Sequence, residues 1–334
     1  MTITRRLLLG GGALACAAPR GPGAARAQSA ATQPIATLPD KPIRLLVPNA
    51  AGGVADLAAR SVGQGLSERL GRPVVVENRP GAGGTIAAQA LLAAPADGST
   101  LMVATNAHAI SVSLFRSLPF DPLRDFAPVG LMGSFGIAIL VAPGSPLRDV
   151  AALLAQLRAA PERHPIGTIS VGSTQHLAAE LFKASAGVDA LTVPFTATPA
   201  LLTSLMRGDV AVAFEIVAPV MGQVRDGALR ALAVTSPERS PSLPEVPTLR
   251  EAGLAGFDVT SWNALVAPAR TPPAIIARLN QELNAVLAEP GLRATLRAAG
   301  VEAGGGTPEA LAALLRGETA KWRAAIERAG IEKQ

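Results

Sequence analysis

Apolar residues along this chain fall into short runs separated by longer stretches of helical period. Ile43 to Val47, Val74 to Val76, Leu101 to Thr105, Ile166 to Val171, Leu191 to Val193, Val210 to Phe214 and Leu229 to Val234 have the length and composition of strands. Strand and helix in alternation predict parallel sheets with helical crossovers. Two helix starts are marked by a capping hydroxyl followed by proline, at Thr271-Pro272 and Thr307-Pro308. After the first of these, Ile275, Ile276, Leu279, Leu283, Val286 and Leu287 make an apolar stripe at helical spacing.

Two segments are near copies: Ile137 to Pro143 and Trp262 to Pro268 each end an apolar strand in Val-Ala-Pro. Read as hinge-crossing strands, they divide the chain into a discontinuous first lobe, 40–136 with 257–334, and a second lobe, 137–256. The fold class expected is two-lobed α/β, with two parallel or mixed sheets and a ligand cleft between the lobes.

The first 27 residues read as an export signal, because Arg5 and Arg6 precede the apolar stretch Leu7 to Ala18 and Ala25-Arg26-Ala27 offers a cleavage site. The twin arginines leave both the general and the twin-arginine route open. Residues 28–39 carry no helical or strand period and read as a flexible tether. Processing changes the charge picture: it removes four of the 30 basic residues and no acid, so the formal net charge falls from +5 to about +1. A near-neutral chain argues against nucleic acid as a partner. The single cysteine, Cys16, lies in the same segment, which excludes disulfides and thiolate chemistry from the processed chain.

Candidate chemistry sits in four strand-to-helix turns, since ligands of parallel α/β sheets bind outside the carboxyl ends of the strands. The first, Pro48 to Asp56, contains Asn49, Gly52, Gly53 and Asp56; its N–H groups suit an anion, although a tight turn and a helix cap explain the same residues. The second holds Thr105, Asn106 and His108, the third Ser173, Thr174, Gln175 and His176, and the fourth runs from Pro194 through Phe195 to Pro199. None contains lysine or arginine, so a carboxylate bound there is held by neutral donors and helix N-termini. Glu215 ends a buried-looking strand and reads equally as a helix cap or a ligand contact.

Enzyme patterns are missing: there is no P-loop and no Gly-x-Ser-x-Gly elbow, and Pro80 to Thr85 does not follow a strand as a dinucleotide fingerprint must. With three histidines, His108, His164 and His176, the expectation is no catalytic residue, no metal and no cofactor.

Several separated motifs together resemble one family. Lys41-Pro42-Ile43-Arg44, Val74 to Gly84 (Val-Val-Val-Glu-Asn-Arg-Pro-Gly-Ala-Gly-Gly), Leu118 to Pro122 with Asp125 to Val129, and Leu229 to Ser236 with Pro244 to Thr248 are similar to signatures of the substrate-binding receptors of tripartite tricarboxylate transporters, the Bug proteins. The resemblance covers the chain beyond the tether. It implies a periplasmic binding-protein fold (type II-like), a monomer that binds an organic acid, and the membrane subunits of such a transporter as partners. A membrane signalling protein is the alternative partner. The resemblance also implies a ligand carboxylate held at Asn49, Gly52, Gly53 and Asp56, with Ser173, Thr174, His176 and Phe195 from the other lobe. The chain departs from the family at Asn49-Ala50-Ala51, Phe195-Thr196-Ala197 and Glu215, all at the expected pocket, so the ligand's identity does not carry over.

Overall fold

The structure is a computed structural model and describes residues 38–334. The export signal and nearly all of the tether lie outside those residues. Within them the chain forms β1 (Ile43–Val47), α1 (Val54–Leu70), β2 (Val74–Asn78), α2 (Thr85–Leu92), β3 (Thr100–Thr105), α3 (Asn106–Leu114) and β4 (Phe126–Val141). It continues through α4 (Val150–Ala159), β5 (Ile166–Ile169), α5 (Thr174–Ala186), β6 (Thr192–Phe195), α6 (Thr198–Arg207), β7 (Val212–Ile216), α7 (Val217–Arg225) and β8 (Arg230–Val234). The last elements are β9 (Thr260–Pro268), α8 (Pro273–Ala288), α9 (Pro290–Ala298), β10 (Glu302–Gly305) and α10 (Pro308–Arg328).

The strands are ordered β2-β1-β3-β9-β4-β7-β5-β6, with β8 and β10 also paired to β4. Outer strands are parallel, but β9 and β4 run antiparallel to their neighbours, so the arrangement is mixed. Strand β4 belongs to both sheets. Phe126 to Gly136 pair with β9 in the first, and Ile137 to Val141 pair with β7 and β8 in the second. The chain returns just before Thr260, where the Val259 N–H donates to the Thr235 carbonyl (3.0 Å) and Thr260 pairs with Gly136. Trp262 to Pro268 therefore begin at the crossing and lie in the first sheet.

Each sheet is covered on both faces, as alternating strands of a buried sheet require. Leu45, Val47, Leu265 and Ala267 pack under α1 and α8, while Leu46, Met102, Ala104 and Val266 share a core with α2, α3 and α10. That second core continues into the other sheet through Ile137, Ile139 and Phe214 and reaches α5. The expected α10 start is present, with Thr307 Oγ1 accepting from the Ala310 N–H (3.2 Å). Thr271 does not cap α8; that helix starts one turn-residue later behind Pro272, and the Thr271 hydroxyl is buried without a partner. No helix among the described residues is long and apolar enough to cross a membrane.

Candidate functional site

The register of the strands fixes where a ligand can approach. In the first sheet β1 and β3 are parallel, and the last residue of β3, Thr105, lies opposite Asn263, three residues into β9 from the crossing. In the second sheet β5, β6 and β7 are parallel, and Ile216 at the end of β7 lies opposite Ile137, the first residue of β4 beyond the crossing. The carboxyl ends of both parallel sets thus point at the crossing from opposite sides. Five helices begin there, α1, α3, α5, α6 and α7, each directing first-turn N–H groups and the positive end of its dipole toward the same region. Gly172, after β5, adopts φ +79°, and a Cβ there would come within 2.6 Å of Leu114, the last residue of α3, so the third turn packs against the end of that helix.

In the first turn Asp56 is a clamp. Its buried carboxylate accepts from the Gly52 N–H (2.9 Å), the Asn78 amide (2.9 Å) and Arg60 (3.1 Å), and Asn78 also donates to the Asn49 carbonyl (3.1 Å). Burial pushes the Asp56 carboxyl up, but the donors from Arg60, Gly52 and Asn78 outweigh it and hold it below the usual aspartate range. Gly52 adopts φ +86°, which a glycine accepts without strain. The Gly52 N–H is thus committed to Asp56, and Gly53, the N-cap position of α1, opens onto the first-turn N–H groups of the helix.

Asn106 is a strut. Its amide donates to the Thr260 carbonyl and to Glu318 (both 3.2 Å), and its oxygen accepts from the Trp262 N–H (2.9 Å), tying the start of α3 to the crossing and to α10. Thr105 beside it makes no capping bond. His108 is fully buried, with Nε2–H donating to the Pro122 carbonyl (2.9 Å) and its ring edge-on to Phe126; burial lowers its pKa to about 4 against that carbonyl.

In the third turn the Ser173 hydroxyl donates to the Ile169 carbonyl (2.8 Å) and accepts from the His176 backbone N–H (3.1 Å). The His176 ring accepts from the Gly172 N–H (3.5 Å), and burial keeps it neutral by lowering its pKa. Serine and imidazole are therefore not paired as a nucleophile and base. Thr174 is half-buried at the first turn of α5, and Phe195 is half-buried at the end of β6, opposite Ile169.

Glu215 lies within β7, one residue before its end, and not beyond the strand. Its carboxylate is buried and accepts from the Gln175 amide (2.9 Å), the Ile216 N–H (2.8 Å) and the Thr198 hydroxyl (2.9 Å). Burial pushes its pKa up against those three donors. The other buried acids, Asp56, Glu282 and Glu318, each have an arginine or lysine partner; Glu215 has none among the described residues. Gln175 and Thr198 lie in the third and fourth turns, in the first turns of α5 and α6, but neither is among the ligand contacts expected from the sequence.

Residues 58–331 match the sequence pattern of TctC, the tripartite tricarboxylate transporter family receptor. The chain belongs to this receptor family. The receptor is 34% identical over 298 residues to the protein BugT of Bordetella pertussis, covering 89% of this chain and 91% of BugT. Its fold matches R. palustris Rpa4515 solved with adipate, at TM-score 0.79 and 34% identity over 89% of this chain and all of the other. It also matches MatC from Rhodopseudomonas palustris with bound malate, at TM-score 0.74 and 32% identity over 86% and 99% of the two chains. The family is one of substrate-binding proteins, so the receptor is a solute-binding protein of two lobes and not an enzyme.

Proposed function

We propose that this receptor captures a small organic acid between two lobes in the periplasm and delivers it to the membrane subunits of a tripartite tricarboxylate-type transporter. The observation that carries the reading is the convergence of five helix N-termini, with neutral donors and no basic side chain in the four turns, on the crossing between the sheets. Such a cradle holds a carboxylate through hydrogen bonds and helix dipoles, which suits reversible release. Asn49, Gly52, Gly53 and Asp56 shape the first-lobe side with Thr105 and Asn106. Ser173, Thr174, His176, Phe195 and Glu215 shape the other. In this reading Asp56, Asn106 and Ser173, whose polar atoms bond within the chain, act as supports and Gly53, Thr105 and Phe195 as contacts, while Glu215, itself bonded to Gln175, Thr198 and the Ile216 N–H, supplies the site's negative charge. A buried carboxylate without a cation favours a ligand whose far end bears a hydroxyl, amide or ammonium donor.

The lobes of the proposal are 40–136 with 257–334, and 137–256, a division supported by the change of sheet at Gly136 and Ile137. Export rests on Arg5, Arg6 and the apolar stretch that follows them. The test is a thermal-shift panel of mono- and dicarboxylates, with and without hydroxyl or amino groups, including adipate and malate. At about 100 times its dissociation constant a ligand stabilises the fold by roughly 2.7 kcal/mol, a rise of several degrees for a chain of this size. Gly53→Val should keep the apo fold, since the nearest atom to its Cβ is 3.8 Å away, and should lose most of that rise. A panel with no hit on wild type rejects the carboxylate reading; hits shared by the variant reject the first turn as the site.

A further inference from the structure

Among the described residues, Asn263 is the one buried amide with neither end bonded: Nδ2 and Oδ1 have no hydrogen-bond partner in the protein, and the residue is 1% exposed. Buried side-chain amides are nearly always satisfied, because each unpaired donor or acceptor carries its full desolvation cost. A group of this kind in a receptor calls for a partner that comes from outside the chain.

Its place in the sheet says where that partner arrives. Asn263 lies opposite Thr105, the last residue of β3, and opposite Gly133 of β4. Its neighbours Trp262 and Ala264 face the core under α10, so its own side chain stands on the other face, with Leu265 and Ala267, on the side covered by α1. Leu265 and Ala267 are covered there by the body of the helix layer. Asn263 lies nearer the crossing, at the end of the sheet where β1 has already finished and the Pro48 to Gly53 turn leads into the N-terminus of α1. Thr105 shares its face as a cross-strand neighbour. The register therefore places the amide on the face of the sheet that α1 and α8 cover, at the end toward the crossing, where the first turn also lies.

We infer that Asn263 is a ligand-contact residue of the first lobe, its N–H donating to the ligand's carboxylate and its carbonyl accepting from a hydroxyl or amino group next to that carboxylate. The inference rests on the receptor reading above and refines it to 2-hydroxy or 2-amino carboxylates. An amide is suited to this pair because it presents a donor and an acceptor side by side in one rigid plane. A site that hydrogen-bonds a hydroxyl discriminates strongly against the analogue lacking it, since its own polar group is then left unpaired.

The experiment measures thermal shift and calorimetric affinity with acid pairs that differ only in that group: malate and aspartate against succinate, and lactate against propionate. Wild type should favour the substituted member of at least one pair by roughly ten-fold or more. Asn263→Leu should remove that preference while its apo melting temperature stays level or rises, because an unpaired buried amide has been replaced by an apolar group of similar size. Unchanged affinity and preference in Asn263→Leu would show that the amide serves only an internal water, and would overturn the inference while leaving the receptor reading intact. A wild type that responds to substituted and plain acids alike also overturns it. No response of wild type to any acid removes the receptor reading, and this inference with it. Should Asn263→Leu not fold, Asn263→Ala takes its place. A crystal structure of wild type with the best-binding acid gives a check without mutation: ligand atoms on Nδ2 and Oδ1 support the inference, and an amide bonded only to protein or water overturns it.

Discussion

Burial against the rings of Phe120 and Phe126 holds His108 in its neutral form in spite of the Pro122 carbonyl, and that has a measurable signature. A histidine whose folded pKa is lowered leaves stability intact above the unfolded value of 6.5 and removes it as pH falls toward about 4, because the unfolded chain binds the proton more tightly. Across that window the loss from His108 is about 3 kcal/mol, at roughly 1.4 kcal/mol per pH unit. His176 is shifted in the same direction and adds to the slope. His108→Gln keeps a donor for Pro122 without a titrating ring, so its stability, measured by denaturant melts from pH 7 to pH 4, should fall less steeply than that of wild type. An equal slope would place the acid sensitivity elsewhere. At this scale the sequence located the turns well and the work of their side chains poorly. Asn106 stands in a turn directly after a strand, which made it a ligand candidate. Its actual partners, Thr260 and Glu318, lie 154 and 212 residues away, and no local pattern reveals them. Asn263 was passed over for the opposite reason: inside an apolar strand, a lone amide carries no periodic signal.

Helix α3, strand β9 and helix α10 are joined through one buried carboxylate. Glu318 accepts from Asn106, from the indole N–H of Trp262 (3.3 Å) and from that of Trp322 (2.8 Å), and pairs with Lys321. Asn106→Ala removes three hydrogen bonds at this junction and should cost roughly 2 to 4 kcal/mol, a drop of several degrees or more in melting temperature. The rise produced by a bound ligand should survive in that variant. Loss of ligand response without loss of apo stability would instead make Asn106 a direct contact. Helices were legible as elements wherever chemistry and periodicity agreed, as in α10 behind Thr307. Strand β4 was recognised only from Ile137, although it starts at Phe126, because Gly130, Gly133 and Gly136 interrupt its apolar pattern. Strand β10, Glu-Ala-Gly-Gly, has no alternation at all and exists only because β4 offers it an edge.

For the whole molecule, a two-lobed fold could be expected from the repeated Val-Ala-Pro strands, whereas the shared strand could not, since a change of sheet within one apolar run leaves no mark on composition. That topology also orders events in time. The first sheet has β9 inserted between β3 and β4, so its central strand is delivered only after every residue of the second sheet has been made. Pairings of such long sequence separation form slowly, because loop closure precedes any gain from contact. A chain cut after residue 259 would hold β1 to β8 and still lack the strand that joins β3 to β4, and should show no cooperative melt for the first sheet by circular dichroism; a native-like transition would contradict this. During synthesis, then, most of the polypeptide emerges before its amino-terminal half has anything complete to fold onto. A late-arriving central strand works as a built-in delay: the first sheet cannot close until nearly four-fifths of the sequence has been made.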